Sequence, residues 1–463
     1  MEVGRVPFGR GCARVRRPES EGRRPAVRFR PSPRFKPQRK EQTTVAREKI
    51  VLAYSGGLDT SVAVKWINET YDMDVIAYTC DLGQGQDIHA IRDKALRTGA
   101  IEAVAEDARN LFIDYFVWPS LMAGALYEGK YPLATALGRP LIAQLMVRVA
   151  REHGATAVAH GCTGKGNDQV RFDVTFQTLA PDLKIVAPVR EWKWTRTQEL
   201  EFAAKHGIEV EATKKSIFST DQNLWGRSIE AGILEDPWVE PPPETFQWTV
   251  DPKDAPDEPE EVEITFEQGR PVAWNGREMD GIELIDAANK TAGKHGVGRI
   301  DHIENRLVGI KSREIYEAPG AILLNEAHKE LEFLTLSKES QRFKTMVSQT
   351  YADLIYNGLW FSQLHQDLMA FTVSNQQYVS GVVRMKLYKG GLIVVGRKSP
   401  NSLYRHELAT YEEGDQYDAS AAMGFIKIHG LGQTTQAKHQ LLNAKGSGPR
   451  LELPSIIPPD APK

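Results

Sequence analysis

Residues 49–61 read KIVLAYSGGLDTS. The apolar run Ile50–Tyr54 predicts a short buried strand, because no polar residue interrupts it. The serine and the two glycines that follow predict a tight turn, and a helix is predicted from Thr60 onward. A strand, a glycine turn and a helix in immediate succession are typical of an α/β unit whose loop opens at the end of a sheet strand.

The turn carries groups that suit an anion. Its glycine pair lets the backbone approach a ligand closely, and the free N–H groups at the start of the helix favour phosphate. Asp59 could hold a Mg²⁺ ion that bridges phosphates. The plainer interpretation is a tight turn with a Ser or Thr helix cap. The string Ser-Gly-Gly-x-Asp-Thr-Ser directly after a buried strand favours the phosphate site, although it is neither a Walker A loop nor a G-x-G-x-x-G turn. Hydroxyl donors are available from Ser55, Thr60 and Ser61.

Alternating strand and helix patterns continue to about residue 215. This alternation predicts a parallel sheet that helices cover on both faces, in an α/β domain over residues 48–215. Further strands are predicted at Val75–Cys80, Ile101–Ala105, Ala155–His160 and Ile185–Val189. Helices are predicted at Ile88–Arg97, Leu141–His153 and Thr197–Lys205.

The pattern changes in residues 216–416, which predict a separate α+β domain. Asp236–Glu261, the connector, contains seven prolines and many acidic residues, so an extended segment is expected. Val262–Trp274 alternates as strands do around Gln268-Gly269, and Val382–Lys398 predicts a hairpin. Glu326–Asn357 is strongly helical in pattern. Residues 417–442 are expected to form a helical arm.

The two ends of the chain lack any core-forming pattern. Residues 1–40 hold 13 Lys and Arg against 3 Glu, so the remaining residues carry a net charge of −13 out of the total of −3. Disorder is the favoured interpretation of residues 1–47, and a transit peptide or a start assigned too far upstream remain alternatives. Residues 443–463 are also expected to be disordered. Because the folded part is acidic overall, a nucleic-acid partner is not expected.

The remaining composition excludes several classes of protein. No run of 18 apolar residues exists, so a membrane span is not expected. Three cysteines, Cys12, Cys80 and Cys162, are too few and too scattered for a disulfide framework or a zinc site. A reducing compartment, the cytoplasm, is therefore expected, with organellar targeting by residues 1–47 left open.

A second loop, His160–Phe172, reads HGCTGKGNDQVRF and follows another predicted strand. Both loops should therefore open at the carboxyl edge of the sheet, where ligands bind in such folds. Lys165 can neutralise phosphate. Asn167, Asp168 and Arg171 offer amide, carboxylate and guanidinium groups that suit an amino-acid ligand. The plainer interpretation is a mobile surface loop with solvated charges.

A third string, AGKHGVGRIDHIENRLVGIKSREIYEAPG, begins at Ala292 and ends at Gly320. Alone it would be interpreted as a charged loop and strand. Together with AYSGGLDTS and HGCTGKGNDQVRF, it resembles the signatures of the argininosuccinate synthase family, in the same order and at suitable spacing. The similarity extends from about Lys49 to about His439. The first loop also resembles that of the ATP pyrophosphatases, the wider group to which this family belongs.

The resemblance implies a fold, an activity and an assembly. The fold would be a parallel-sheet nucleotide-binding domain of the ATP-pyrophosphatase type, followed by an α+β synthetase domain and a C-terminal helical arm. The activity would join citrulline to aspartate in arginine biosynthesis, with ATP as a substrate and Mg²⁺ as a cofactor, and would release AMP and diphosphate through a citrullyl-adenylate. The family is typically a homotetramer, and its partners are these small molecules.

The family's site residues carry over to matching positions. On the chemistry of the two loops given above, Asp59 and Lys165 are the catalytic candidates, with Asp59 also the candidate Mg²⁺ ligand. ATP would contact Ala53, Tyr54, Ser55, Gly56, Gly57, Leu58, Asp59, Thr60, Ser61, Cys80 and Gly161. Aspartate would contact Thr163, Asn167 and Asp168. Citrulline would contact Tyr131, Thr135, Asn167, Arg171, Ser219, Ser228, Glu304 and Tyr316.

One position departs from the family pattern. Many members read Gly-Thr-Ser where this chain has Ala134-Thr135-Ala136. A hydroxyl at position 136 is therefore missing, and Thr135 is the candidate substitute. The resemblance assigns no role to the thiols of Cys80 and Cys162.

Two rival functions are compatible with the first loop. One is a different ATP-pyrophosphatase enzyme, which adenylates and modifies tRNA. Such an enzyme would need a basic face or reactive cysteine pairs, and the folded part of the sequence offers neither. The other is a non-enzymatic nucleotide-binding module, which would leave the polar groups at 160–172 and 304–316 unexplained.

Overall fold

A computed structural model describes residues 47–209 and 218–441. The expected disordered tails, apart from Arg47, lie outside the described residues, as does the expected domain boundary at 215–216.

The N-terminal half is built on a five-stranded parallel sheet in the order β3-β2-β1-β4-β5. The central strand β1 pairs with a neighbour on each side, Ile50 opposite Val75 and also opposite Ala157. Both the strands and their parallel arrangement confirm the sequence prediction. The strands are β1 Lys49–Ala53, β2 Asp74–Asp81, β3 Glu102–Asp107, β4 Ala157–Ala159 and β5 Lys184–Val186.

Helices cover both faces of this sheet. Successive residues of β1 point to opposite sides, so Val51 lies in one hydrophobic core while Ile50 and Leu52 lie in the other. Both cores are closed by apolar helix faces. The helices are α1 Leu58–Tyr71, α2 Ile88–Thr98, α3 Arg109–Phe112, α4 Trp118–Ala123, α5 Ala134–His153, α6 Asp168–Leu179, α7 Pro188–Trp192 and α8 Arg196–Lys205, with a π-helical turn at Ile113–Val117 between α3 and α4.

Two predicted boundaries in this half were wrong by three residues or more, both beside a proline. Helix α5 begins seven residues before the predicted Leu141 and contains Pro140 within its length. Strand β5 ends at Val186 instead of Val189, because Pro188 occupies the first turn of α7, where its missing N–H is not needed.

The C-terminal half contains two antiparallel sheets. One has the order β10-β9-β8-β13-β14, and the other has the order β11-β12-β7-β6. The predicted strands on either side of Gln268-Gly269 and the predicted hairpin at Val382–Lys398 are both confirmed. The strands are β6 Ser219–Asn223, β7 Gly226–Glu230, β8 Glu260–Glu267, β9 Arg270–Trp274, β10 Arg277–Glu278, β11 Arg299–Asn305, β12 Lys311–Glu317, β13 Gly381–Tyr388 and β14 Gly391–Lys398.

The helical stretch predicted at Glu326–Asn357 is two helices. They separate at Leu336 and Ser337, and the Ser337 hydroxyl accepts a hydrogen bond from the Ser340 N–H at the start of the second helix. The helices of this half are α9 Gly281–Lys294, α10 Pro319–Thr335, α11 Lys338–Tyr356, α12 Gln363–Gln376, α13 His406–Ala409, α14 Ala419–His429 and α15 Leu431–Gln436, followed by a π-helical turn at Ala437–Leu441.

The connector contains one short 3-10 turn, Pro243–Thr245, and is otherwise irregular up to the start of β8. It is pinned to the fold by Glu317, which is fully buried at the end of β12. The Glu317 carboxylate accepts hydrogen bonds from the backbone N–H groups of Gln247, Trp248 and Thr249 and from Arg227 at 2.7 Å. Within the described residues, no helix is long and apolar enough to cross a membrane.

Candidate active site

The first loop connects β1 to α1 at the carboxyl edge of the parallel sheet. Gly56 has φ of +77°, a left-handed conformation that glycine adopts without strain. The Tyr54 hydroxyl and Ser61 Oγ lie 2.9 Å apart, and Ser55 Oγ lies 3.2 Å from Thr60 Oγ1. The loop therefore brings backbone N–H groups and the Ser55 and Thr60 hydroxyls together at the start of a helix, while the Ser61 hydroxyl is buried against Tyr54. Its expected members Ala53, Gly57 and Leu58 complete the same segment.

Asp59 lies in the first turn of α1 with its carboxylate partly exposed. Arg196, the first residue of α8, donates a hydrogen bond of 2.8 Å to it. The same guanidinium lies 3.4 Å from Glu199, and burial together with the nearby charge of Asp59 raises the pKa of Glu199 to about 7. No cluster of three or more His, Cys, Asp or Glu side chains suited to a metal occurs in residues 47–209 and 218–441. Asp59 alone is compatible with Mg²⁺, which is commonly held by one or two carboxylates and substrate phosphates.

The second loop lies against the first. A Cβ on Gly161 would lie 3.1 Å from the Thr60 methyl group, so glycine permits this close approach. His160 is fully buried at the end of β4. Its Nδ1 accepts a hydrogen bond from the Cys162 N–H at 3.2 Å, so Nε2 carries the proton that is donated to Asp173 at 2.8 Å. The imidazole thereby anchors the beginning of the loop.

Helix α6 brings two charged residues of the second loop together. Arg171 Nη1 donates to Asp168 at 2.7 Å, and Arg139 Nε on α5 donates to the other carboxylate oxygen at 2.8 Å. Burial opposes the charge of Asp168, but the two guanidinium groups outweigh it and hold the pKa of this carboxyl below its ordinary value. Arg171 is 3% exposed, and its Nη2 has no hydrogen-bond partner among the described residues.

A tyrosine pair lies beside these charges. The rings of Tyr131 and Tyr316 stack with centroids 4.1 Å apart, and the Tyr131 hydroxyl is 2.9 Å from Thr135 Oγ1. The Tyr316 hydroxyl donates to Glu304 at 2.6 Å. Ser228 on β7 lies opposite Tyr316 on β12. Five of the expected citrulline residues thus form one group, the tyrosine cluster: Tyr131, Thr135, Ser228, Glu304 and Tyr316.

Asn167 joins the second loop to this cluster. Its Oδ1 accepts a hydrogen bond from the Leu307 N–H at 3.0 Å, and its Nδ2 donates to the Tyr356 hydroxyl at 2.8 Å. Tyr356 in turn donates to the second oxygen of Glu304. Arg171, Asn167 and Glu304 are consequently held by contacts with one another or with shared neighbours.

Four expected site residues lie at the edges of this arrangement. Cys80 is buried in β2 at the same carboxyl edge, and burial raises the pKa of its thiol to about 12. Thr163 and Lys165 are exposed in the second loop. Ser219 begins the edge strand β6, opposite Glu230. These four residues make no side-chain hydrogen bond to the tyrosine cluster within the described residues.

Two acidic residues, Glu230 and Glu314, hold the Arg306 side chain next to the second loop. Arg306 donates to Glu230 and Glu314, and its Nη1 lies 3.4 Å from the Lys165 carbonyl oxygen. Burial, followed by the negative charge of Glu230, raises the pKa of Glu314 to about 8. The turn between β11 and β12 therefore contacts the second loop twice, through Arg306 and through Leu307.

The residues of this site that sequence reasoning missed include Arg139 and Tyr356. Arg139 is a charged residue within an apolar helical run, and this interruption was a signal that could have been used. Tyr356 ends a helix whose pattern indicates only a core face, so no local signal marked it.

Two family models match the chain. The "Arginosuccinate synthase N-terminal HUP domain" matches residues 49–209, and the "Arginosuccinate synthase C-terminal domain" matches residues 218–436. A solved structure, the U34-tRNA thiolase NcsA from Methanococcus maripaludis with its [4Fe-4S] cluster, is 19% identical, with 36% of this chain and 58% of that chain covered. Its TM-score of 0.24 is too low to support an argument.

Curated relatives named argininosuccinate synthase match over most of their length. The relative from Dehalococcoides mccartyi strain BAV1 is 60% identical over 393 residues, 85% of this chain and 97% of the relative. The relative from Brevibacillus brevis is 58% identical over 387 residues, which cover 84% of this chain and 92% of the relative. The relative from Chlorobium phaeobacteroides is 55% identical over 400 residues, which cover 86% of this chain and 100% of the relative. With both family models matched in order, the chain belongs to the argininosuccinate synthase family.

Proposed function

We propose that the chain joins citrulline to aspartate with ATP by means of the two loops and the tyrosine cluster described above. The observation that carries this assignment is that Arg171 and Glu304, both buried, contact the same residue, Tyr356. A buried guanidinium nitrogen without a partner suits an α-carboxylate, and a buried carboxylate suits an α-ammonium group. Such a pair fits an amino acid that lies beside a phosphate-binding loop.

The first loop is assigned to ATP. Backbone N–H groups and hydroxyls of residues 53–61 would hold the phosphates, with Cys80 and Gly161 at the nucleotide's edge. Lys165, exposed in the second loop, would offset phosphate charge. Asp59 would hold Mg²⁺, which when bound neutralises charge on the phosphates. Because Arg196 contacts the same carboxylate, this guanidinium would have to move aside or bind phosphate itself.

The amino acids are assigned to the neighbouring groups. Aspartate would contact Thr163, Asn167 and Asp168, and citrulline would contact the cluster around Glu304. Asn167 would lie between the two substrates, since its amide is held at the boundary of the second loop and the cluster. Thr135 supplies a hydroxyl beside Tyr131, while Ala136 is fully buried and supplies none. The remaining citrulline contacts are assigned to Tyr131, Arg171, Ser219, Ser228 and Tyr316.

The proposed chemistry has two displacement steps. The ureido oxygen of citrulline attacks the α-phosphorus and diphosphate leaves; the α-amine of aspartate then attacks the activated carbon, and AMP departs. Burial raises the pKa of the Cys162 thiol as well as that of Cys80, so neither described cysteine is an activated nucleophile. Catalysis would depend on positioning and on electrostatic stabilisation by the two loops.

Purified protein tests the assignment directly. Diphosphate should appear only when ATP, citrulline and aspartate are all present, and argininosuccinate should be detected by mass spectrometry. Diphosphate release that requires tRNA instead of the two amino acids would overturn the assignment in favour of a tRNA-modifying enzyme. ATP binding without any turnover in the complete mixture would overturn it in favour of a nucleotide-binding module.

A homotetramer assembled through the C-terminal arm is also proposed. Helix α14 carries apolar side chains that are largely exposed within the described part of the chain, which supports burial against another copy. Light scattering should give the mass of a tetramer, and replacement of Phe425 and Ile428 by Ser should lower it. A monomer mass for the unmodified chain would contradict the proposal.

We also propose that the protein acts in the cytoplasm, because Cys80 and Cys162 are free thiols, as is usual in a reducing compartment.

A further inference from the structure

The Tyr356 hydroxyl connects two elements that come from opposite halves of the chain. It accepts a hydrogen bond from Asn167 Nδ2 at 2.8 Å and donates its own proton to Glu304 Oε1. Tyr356 is 1% exposed and Glu304 is 2% exposed, so water does not compete for these bonds. One hydroxyl therefore links the second loop to the carboxylate on β11.

The directions of these bonds are determined by the neighbours. Asn167 Oδ1 is occupied by the Leu307 N–H at 3.0 Å, so the amide NH₂ must face Tyr356. Glu304 Oε2 is occupied by the Tyr316 hydroxyl at 2.6 Å, so Oε1 is the oxygen that faces Tyr356. Burial and the nearby Glu304 both raise the pKa of Tyr356, which keeps its hydroxyl protonated and able to donate.

The ring and the backbone of Tyr356 are held as firmly as its hydroxyl. The ring stacks on Tyr127 with centroids 3.6 Å apart and an interplanar angle of 6°. The Arg171 guanidinium lies 4.8 Å from the centre of the same ring, and Arg171 Nε donates to the Tyr356 carbonyl oxygen at 3.0 Å. The tyrosine thus contacts Asn167, Glu304 and Arg171 at once.

We infer that Tyr356 is a positioning residue that sets the orientation of Asn167 and Glu304 toward the two amino-acid substrates. The inference rests on the proposed function. Asn167 would lie between citrulline and aspartate, where an amide that rotates would present an acceptor in place of a donor. A carboxylate that loses one of its two hydroxyl donors would likewise be free to turn away from an ammonium group. ATP binding does not depend on these contacts, because the first loop lies outside them.

Tyr356→Phe tests this role, because it removes the hydroxyl and keeps the ring. The KM values for citrulline and aspartate should each rise about tenfold, and the KM for ATP should stay within about twofold of the unmodified value. The matched control is Tyr351→Phe on the same helix, which removes a buried hydroxyl 3.0 Å from His365. This control should lower Tm by a similar amount and leave all three KM values unchanged.

A second comparison separates positioning from general loosening of the site. The single variant Asn167→Ala is compared with the double variant Asn167→Ala, Tyr356→Phe. Between these two proteins the KM for aspartate should rise by clearly less than tenfold, because the amide that Tyr356 orients is absent from both. Equal rises in the KM for ATP and for the amino acids, or no change in any KM, would overturn the inference. The unmodified protein is measured first: if it does not consume citrulline and aspartate, the proposed function itself fails, and the inference with it.

Discussion

The carboxylate of Asp59 accepts a hydrogen bond of 2.8 Å from the guanidinium of Arg196, which lies 137 residues further along the chain. The Arg196 side chain is 63% exposed and that of Asp59 is 41% exposed. An ion pair this accessible to water contributes little to the free energy of unfolding, since solvent screens it. We therefore expect Asp59 to act mainly on a cation bound at the first loop.

Replacing Asp59 by Asn should lower kcat on the order of a hundredfold, because the neutral amide binds Mg²⁺ poorly. Tm should change little, since the exposed pair with Arg196 is weak. Steady-state kinetics and thermal unfolding measure the two effects. The matched control is Asp182→Asn, which breaks another exposed pair, with Arg151, away from the loop. A normal kcat combined with a lowered Tm would make Asp59 a structural cap.

Glu317→Gln should destabilise the fold by about 3 kcal/mol, because it removes the charge from a buried group that faces several donors. The carboxylate is paired with Arg227 and accepts three backbone N–H groups of the connector, so the loss leaves a buried guanidinium uncompensated. Thermal unfolding measures the change. Proteolysis within the connector should become faster in the variant, because its anchor is weakened.

The control for this variant is Glu263→Gln. Glu263 also pairs with an arginine, Arg384, but on a strand surface where both side chains are accessible. Its replacement should change the free energy of unfolding by less than about 0.5 kcal/mol. Equal effects of the two substitutions would contradict the view that burial makes Glu317 an anchor.

The loops of the site could be predicted because each is a single local string at the end of a strand. Parallel strands place their carboxyl ends at one edge, so the first and second loops had to meet, and Gly161 lies against Thr60 as this reasoning requires. The same local reasoning located the five parallel strands and the strands β8, β9, β13 and β14, but it predicted no helix at α9 or α12 and no strand at β6 or β7. It failed beside Pro140 and Pro188, where a proline can lie within a helix as well as begin one.

Tyr356 and Arg139 could not be predicted in the same way. Tyr356 meets Asn167 across 189 residues, and Arg139 meets Asp221 across 82 residues. Which side chain of an amphipathic helix faces a loop depends on how the helix packs, and hydrophobic spacing gives only the buried face. The resemblance to a family gave the groups expected to touch substrate, while the groups that hold them required the structure.

The stability of the fold should depend on pH through His365, which lies on helix α12. Burial lowers the pKa of this imidazole from 6.5 to about 4, so the unfolded chain binds a proton there that the folded chain does not. Above pH 6.5 neither state binds this proton, and His365 does not change the free energy of unfolding. As the pH falls from 6.5 toward 4, the free energy of unfolding decreases by up to about 1.4 kcal/mol per pH unit. His365→Gln should therefore show a smaller drop in Tm between pH 7 and pH 5. Identical drops in both proteins would contradict this account.

Removal of residues 1–46 should leave activity unchanged. The family models begin at residue 49, and the site is built from residues 53 onward. Arg47 is retained because its guanidinium donates to the backbone carbonyls of Asn68 and Asp72. Specific activity and Tm of the shortened chain, beside the full chain, provide the measurement. Loss of activity at an unchanged concentration of protein would show that the removed residues contribute to the fold or the site.

The route of one oxygen atom tests the proposed chemistry independently of its product. If the ureido oxygen of citrulline attacks the α-phosphorus, that atom leaves on AMP when aspartate displaces it. Citrulline labelled with heavy oxygen at the ureido position should then give labelled AMP and unlabelled diphosphate. The first loop supports this route, because its glycines, N–H groups and hydroxyls are suited to holding diphosphate as a single leaving group.

A route through phosphorylation predicts a different distribution of the label. The ureido oxygen would then attack the γ-phosphorus, ADP would be released, and the label would appear in inorganic phosphate. A covalent route through a thiol is disfavoured by the raised pKa values of Cys80 and Cys162. Mass spectrometry of the nucleotide after turnover distinguishes these routes. AMP without label would exclude the citrullyl-adenylate even if argininosuccinate were formed, because attack of the amine on the adenylate's carbon must leave the ureido oxygen on AMP.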